Sequence, residues 1–208
     1  MVNANLLIVQ ENLEKHNIRC FLVPSKEAAL SKALSLIPKG SQVGIGGSVS
    51  VQQIGLYDAL SSGEYDFLNP YKEGLTHEQK MDLRRRGSQA EWFVTGSNAI
   101  TLDGWLVNED WLGNRAAAII YGPRHVLVVV GLNKLVNTIS DALERVQNVA
   151  APANAKRLKK QVPCTVTGKC ENCSSPERIC SVMSIVKWMP PEQKDRITVI
   201  LVDDDLGL

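Results

Sequence analysis

The feature that most constrains this fold is the run "ITVILVDD" at residues 197–204. It has no alternation of apolar and polar residues, so a strand built from it has no face to offer to water. Such a strand must be covered on both sides, the condition met inside parallel sheets with helices above and below. The run "HVLVVVG" at 125–131 reads as another strand, bounded by Pro123 and Gly131.

Around these strands the pattern alternates. Leu6, Val9 and Leu13 share one face of a helix expected from Asn5 to His16, and "CFLVP" follows as a short buried strand over Cys20–Val23. A second helix carries Leu30, Ala33, Leu34 and Ile37, with Ser25 placed to cap it and Pro38-Lys39-Gly40 ending it. "QVGIGGS" reads as a strand running into glycines, then one helix bearing Ile54 and Leu60; "YDFLNP" is a further strand. Thr76 and Gln79 have capping-box spacing for a helix that ends at "RRRG", where three cations suit the negative end of a helix dipole better than an anion site. In the middle, "EWFVTGSNAI", "GWLVNED", "AAAIIYG" and "HVLVVVG" read as strands separated by turn formers. A long helix is expected from Lys134 to Val149, with Val136, Ile139, Leu143 and Val146 inward, and a second after Pro152 through "AKRLKK", whose charges read as a solvated face. The order implies an α/β fold, a mostly parallel sheet flanked by helices with some antiparallel strands. Its 208 residues suffice for a single domain, 1–208, with a cysteine-rich segment at 164–180.

Two constellations carry chemistry. In "VGIGGSVSVQQIGL", Gly46 and Gly47 let a backbone approach a ligand closely, and Ser48 supplies a hydroxyl at a helix start. The glycines do not make a dinucleotide fingerprint, and no phosphate-loop lysine follows; an ordinary strand-to-helix turn capped by Ser48 fits the residues equally well. In "TGSNAITLDGWLVNEDWLGNR", Thr95, Gly96, Ser97 and Asn98 lie just past a strand, and Glu109, Asp110, Asn114 and Arg115 follow. Polar groups at strand ends are where open α/β folds hold ligands. There a carboxylate such as Glu109 or Asp110 suits acid–base work, and Arg115 suits a carboxylate or phosphate. The competing reading is a loop whose acids cap turns while Arg115 pairs with a neighbour.

Four of the five cysteines, Cys164, Cys170, Cys173 and Cys180, follow the spacing C-x5-C-x2-C-x6-C. The C-x2-C pair places two thiolates on one tight loop, and its neighbours lie close enough to complete a four-thiolate site. Zinc sites favour two such short pairs, and here only one exists; the longer gaps suit an iron–sulfur cluster at least as well. Zinc and iron–sulfur both stay open. A disulfide is the competing reading, disfavoured in a reducing compartment, and Cys20 reads as a buried apolar residue. A net charge of +1 gives no electrostatic ground for a nucleic-acid or membrane partner. The N-terminal stretch lacks the basic and apolar regions of an export signal, and no apolar run approaches the roughly 20 residues that span a bilayer. The expected location is the cytoplasm. Its apolar strands and tryptophans would suit a homodimer.

Together, "GIGGSVSVQQIGL", "TGSNAITLDGWLVNEDWLGNR", "YGPRHVLVVVGLNKLV" and "TGKCENCSSPERIC" resemble the LUD-domain family, named for lactate utilisation. In particular they resemble its short, stand-alone members bearing the cysteine block. The resemblance implies a fold related to ribose-phosphate isomerases, glucosamine-phosphate isomerases and CoA transferases. It also implies that Gly46, Gly47 and Ser48 form an anion-binding turn, with 95–98 and 108–115 lining the same cleft. The implied setting is oxidation of lactate to pyruvate beside iron–sulfur partner proteins, with a small anionic metabolite as ligand. Isomerase catalysis does not carry over residue by residue, because the lysine- and acid-bearing motifs that would carry it are missing. The first reading is therefore a redox-linked protein of organic-acid metabolism whose thiols hold an iron–sulfur cluster or zinc beside the α/β body. A second is an isomerase- or transferase-like enzyme acting on a phosphorylated or CoA-linked molecule, with structural zinc. A third is a zinc-stapled interaction module.

Overall fold

A computed structural model of the protein describes residues 3–208; residues 1 and 2, the start of the stretch read for an export signal, lie outside the described residues. The strands are β1 (Arg19–Val23), β2 (Gln42–Ile45), β3 (Asp66–Leu68), β4 (Trp92–Gly96), β5 (Ala99–Thr101), β6 (Leu106–Asp110), β7 (His125–Gly131), β8 (Leu135–Val136), β9 (Val182–Val186) and β10 (Ile197–Val202). The helices are α1 (Ala4–Lys15), α2 (Lys26–Leu36), α3 (Val49–Gln53), α4 (Leu56–Leu60), α5 (His77–Gly87), α6 (Asn114–Ile120), α7 (Ile139–Arg145), α8 (Ala151–Arg157) and α9 (Cys164–Thr167). Among the described residues no helix is long and apolar enough to cross a membrane.

Six strands form one sheet in the order β1-β10-β7-β4-β2-β3, every neighbouring pair parallel. The unbroken apolar run at 197–204 lies inside it, as β10 between β1 and β7. Strand geometry turns successive side chains to opposite faces. Ile200 and Val202 pack with Ala29, Ala33, Val51 and Leu56 from α2, α3 and α4 on one side. Ile197, Val199 and Leu201 pack with Leu6, Val9 and Leu13 of α1 on the other. Each such side chain contributes roughly 1.5–3 kcal/mol through burial, so the unbroken apolar run is explained by two cores sharing one sheet.

A second sheet, ordered β8-β5-β6-β9, has antiparallel β5–β6 and β6–β9 pairs. Its Ile100, Leu106 and Val186 face the core under α1, while Ala99 and Val107 turn away onto Ala142 and Val146. A satellite cluster of Ala155, Val162 and Ile179, with Cys164 against it, holds the cysteine segment to α8.

Local signals placed most helix starts. Ser25 accepts from the Ala28 N–H, and Thr76 and Gln79 close the expected capping box. Four expectations need correction. The helix after the glycine turn is two short helices, because Gly55 adopts a left-handed conformation at φ 79° that ends the first and starts the second. "EWFVTGSNAI" is not one strand but β4 and β5, which belong to different sheets. "AAAIIYG" is not a strand: its alanines lie in α6, held at the start by Asp110, whose Oδ2 accepts from the Ala116 N–H at 2.6 Å. Finally, the long helix starts at Ile139, not Lys134, where Thr138 and Asp141 form a capping box. It then passes through a π turn, Val146–Ala150, straight into α8. Pro152 does not end it, because it falls at the start of α8, just after the π turn in which the Ala151 N–H reaches back to the Val146 carbonyl.

Candidate functional site

After β2 the chain moves through α3 and α4 to β3 on one side, then returns to β4 on the other side of β2. Where the winding reverses, the loops leaving adjacent strand ends diverge and open a crevice at the carboxyl edge of the sheet. The protein has a cleft of about 230 Å³ there, lined from β2's end by Gly47 and Ser48 and from β4's end by Gly96, Ser97 and Asn98. Glu109, Asp110, Asn114 and Arg115 enter from the second sheet and α6. The two sequence constellations, roughly fifty residues apart, thus form opposite walls of one hollow. Gly46 and Thr95 lie behind the wall: a Cβ on Gly46 would sit 2.8 Å from Thr95 Oγ1 and 3.1 Å from Arg115 Cδ. Only glycine allows the turn to lie this close to Arg115. Ser48 caps α3, its Oγ accepting from the Val51 N–H at 3.2 Å.

Arg115 is 9% exposed and thoroughly engaged. Its Nε donates to Asp110 Oδ1 at 2.7 Å, and its terminal nitrogens donate to the Gly96 carbonyl, Asn98 Oδ1 and the Glu109 carbonyl. A guanidinium spent on four acceptors has no open fork for a ligand. Arg115 therefore ties the walls together, and Asp110 is its counter-charge. Arg145 does similar work at the rim, donating to the carbonyls of Asn133, Asn98 and Leu208.

The charges facing the hollow come mostly from elsewhere. Arg84, from the arginine run of α5, lines the cleft, with its guanidinium 5.9 Å from the ring of Tyr71. Arg157 and Lys160, from the run read as a solvated face, line it too; Arg157 is held by Asn154 Oδ1, and Lys160 lies over Trp111. Lys134, expected inside a helix, reaches the cleft from the turn after β7 and is 5% exposed. Among the described residues none of these four cations has a carboxylate within ion-pairing distance. No local pattern separates Arg84 from Arg85 and Arg86; residue spacing carried no signal for them. Lys134 had one weak signal, a lone cation three residues after the buried apolar run of β7. Of the two acids, Asp110 is taken, and burial pushes the half-buried Glu109 carboxyl above its usual range, with Asp110 adding to the effect and Arg178 and Arg115 opposing it. A half-buried carboxyl with raised proton affinity is a candidate for proton transfer.

Glu109 also borders a second hollow lined by Cys170, Cys180, Asn172 and Arg178. All four clustered cysteines are free thiols of intermediate burial. Arg178 ties two of them by their backbone, its Nε donating to the Cys180 carbonyl at 2.7 Å and its Nη1 to the Cys173 carbonyl at 2.8 Å. Burial, followed by Cys180, Cys173 and Cys170, pushes the Cys164 thiol up; burial also raises Cys180, with Arg178 opposing. Thiols that raise one another's proton affinity ionise together only when a cation joins them. The donor chemistry therefore suits a soft metal, but among the described residues no three His, Cys, Asp or Glu side chains converge on one point. The thiols are gathered without closing on a centre. Ile179 of this segment lines the first cleft, so the two hollows adjoin. Cys20 is buried in β1, and burial raises its thiol far above the usual range.

A family model described as LUD domain matches residues 7–202. A solved structure of a DUF162 family protein from Deinococcus radiodurans is similar, with a TM-score of 0.53 at 15% identity and 95% of each chain covered. At that identity the likeness is one of fold. No curated protein matches the chain.

Proposed function

The chain belongs to the LUD-domain family, and from that premise we propose that it serves organic-acid utilisation, of the lactate-linked kind, by binding a small anionic metabolite in the cleft between the glycine turn and the second sheet. One observation carries the reading: Arg84, Arg157 and Lys160 line a hollow in which Asp110 is already paired and the half-buried Glu109 carboxyl is pushed above its usual range by burial. Cations crowded without counter-charge at the carboxyl edge of a parallel sheet favour an anion that supplies it. Ser48 and Asn114 lie on the same walls and offer neutral donors.

The adjoining thiols would hold an iron–sulfur cluster or zinc through Cys164, Cys170, Cys173 and Cys180, and iron–sulfur proteins of lactate oxidation would be the partners. A bound iron–sulfur centre would supply electron transfer; zinc would supply only a staple. In this arrangement the thiols do not converge on one point. The second reading is an isomerase- or transferase-like enzyme acting on a phosphorylated or CoA-linked molecule. It draws on Glu109, whose raised proton affinity suits general acid or base catalysis.

Calorimetric titration of oxygen-free protein with pyruvate, lactate and ribose 5-phosphate tests these readings. Saturable binding of the organic acids, weakened about tenfold or more in Arg84→Gln and Arg157→Gln, is expected; the factor follows from losing one charge-assisted hydrogen bond. Tighter binding of the sugar phosphate would favour the second reading. No saturation by any of the three sinks both. Elemental analysis and visible absorbance of the same preparation, against Cys170→Ser and Cys173→Ser, decide between iron–sulfur, zinc and no metal.

A further inference from the structure

Anion binding accounts for Arg84, Arg157 and Lys160, whose charged heads sit near solvent, but it does not account for Lys134. This side chain is 5% exposed, and its Nζ donates to Ser50 Oγ at 2.8 Å, a fully buried hydroxyl. The tail closes over the pair: a Cβ on Gly207 would lie 2.8 Å from Nζ and 2.6 Å from Ser50 Oγ. The charged groups facing it are cations, Arg115 from α6 and Arg145 from α7, while α3 and its cap present neutral groups, Ser48, Ser50 and Gln53, whose Oε1 accepts from the Gly207 N–H. Of the nearby acidic groups, Asp110 is bonded to Arg115 and the Ala116 N–H, Asp204 to Lys26 and the Leu208 carboxyl oxygen to Arg145; Asp205 is exposed, Asp203 and Glu109 are half-buried, and none of them forms an ion pair with Lys134. An ammonium enclosed in this way has no counter-charge and one neutral partner, an arrangement that favours the free amine. Burial, then Arg145 and Arg115, bring its pKa down to about 7. A lysine held neutral and aimed into a ligand cleft is an activated nucleophile, not a docking charge.

We propose that Lys134 attacks the carbonyl carbon of a small 2-oxo acid held in the cleft and forms an imine with it, an inference that rests on the anion-binding reading above. The Nζ lone pair makes the new N–C bond while the carbonyl π pair moves onto oxygen. Ser50 relays the first amine proton to that oxygen. The C–O bond then breaks, water leaves with the second amine proton, and the C=N bond remains. Nothing is oxidised or reduced. Arg84, Arg157 and Lys160 hold the carboxylate, which fixes the carbonyl relative to Nζ and raises its effective concentration there.

Trapping tests this on the full chain. Protein is incubated with pyruvate, glyoxylate or 2-oxoglutarate and sodium cyanoborohydride, whose hydride reduces the imine to a stable secondary amine. Intact mass and peptide mapping then locate the adduct. A single adduct on the Lys134 peptide is expected with at least one of these acids, forming faster as pH rises through about 7, and at least tenfold reduced in both Lys134→Met and Lys134→Arg. Circular dichroism and calorimetry on the same variants check that they fold and still bind the acid. Saturable binding of the acids to wild type without an adduct at Lys134 overturns the inference while sparing the anion reading. Acetaldehyde trapping at Lys134 as efficient as that by the acids, with no saturable acid binding, overturns the anion reading and the 2-oxo-acid assignment with it. Adducts spread over surface lysines overturn the inference as well.

Discussion

The two sheets treat polar groups in opposite ways. Inside the six-stranded sheet, β10 and β7 present apolar side chains to both faces, and chemistry begins only beyond the strand ends. The four-stranded sheet carries Asn108, Glu109, Asp110 and Ser184 within its strands. Both ends of the Asn108 amide and the Ser184 hydroxyl, paired across β6 and β9, are buried without a hydrogen-bond partner. The large sheet therefore sets where a hollow opens, and the small one, with α6, supplies the groups that line one wall. The apolar core and the polar network are separated by sheet, and substitutions in the two should differ in kind.

The largest expected effect breaks the small sheet's buried pair. Asp110→Ala strips Arg115 of its counter-charge and removes the acceptor that starts α6. A loss of about 3–5 kcal/mol is expected in urea denaturation, together with loss of ligand binding. A cost under 1 kcal/mol would show that the second sheet does not depend on its polar network.

Lys134 sharpens the comparison through pH. Its folded pKa, about 7, lies below the ordinary 10.5, so between those values the unfolded chain holds a proton that the folded chain has released. Stability therefore rises with pH across that window; below it both states are protonated and the buried charge costs its full amount. Against Lys134→Met, the wild type should be weaker by on the order of 5 kcal/mol below pH 7. The gap should close toward pH 10, read from denaturation midpoints of both proteins. A gap that does not vary with pH would mean that the amine is not desolvated.

The smallest effect belongs to the large sheet. Ile200→Val trims one methylene from the core against α2. It should cost about 0.5–1.5 kcal/mol and leave the affinity for pyruvate unchanged by calorimetry. A change in affinity there would show that the large sheet does more than support the site.

Much of this was legible in the sequence. The unbroken run at 197–204 specified a strand with two covered faces, and Ser25 and Thr76 marked helix starts, because periodicity and caps act between residues a few positions apart. "AAAIIYG" defeated that logic: a short apolar run has no period to separate strand from helix, and its alanines favour the helix once Asp110 anchors the first turn. The glycine turn and the 95–115 block were visible as separate stretches. That they face each other depends on the reversal of winding at β2 and β4, which no residue in either stretch encodes.

The sequence by itself determined the buried strands β7 and β10, the caps at Ser25 and Thr76, the family and the clustering of four thiols, all carried by spacing along the chain. Only the tertiary structure decided the duties of the cations. Arg115, the expected ligand holder, is consumed as a strut. Arg84 and Arg157, read as dipole and solvent charges, face the cleft, and Lys134 lies in it without a counter-charge. A charge takes its role from the groups folded against it and from the water it loses, and both are fixed by contacts between residues distant in sequence.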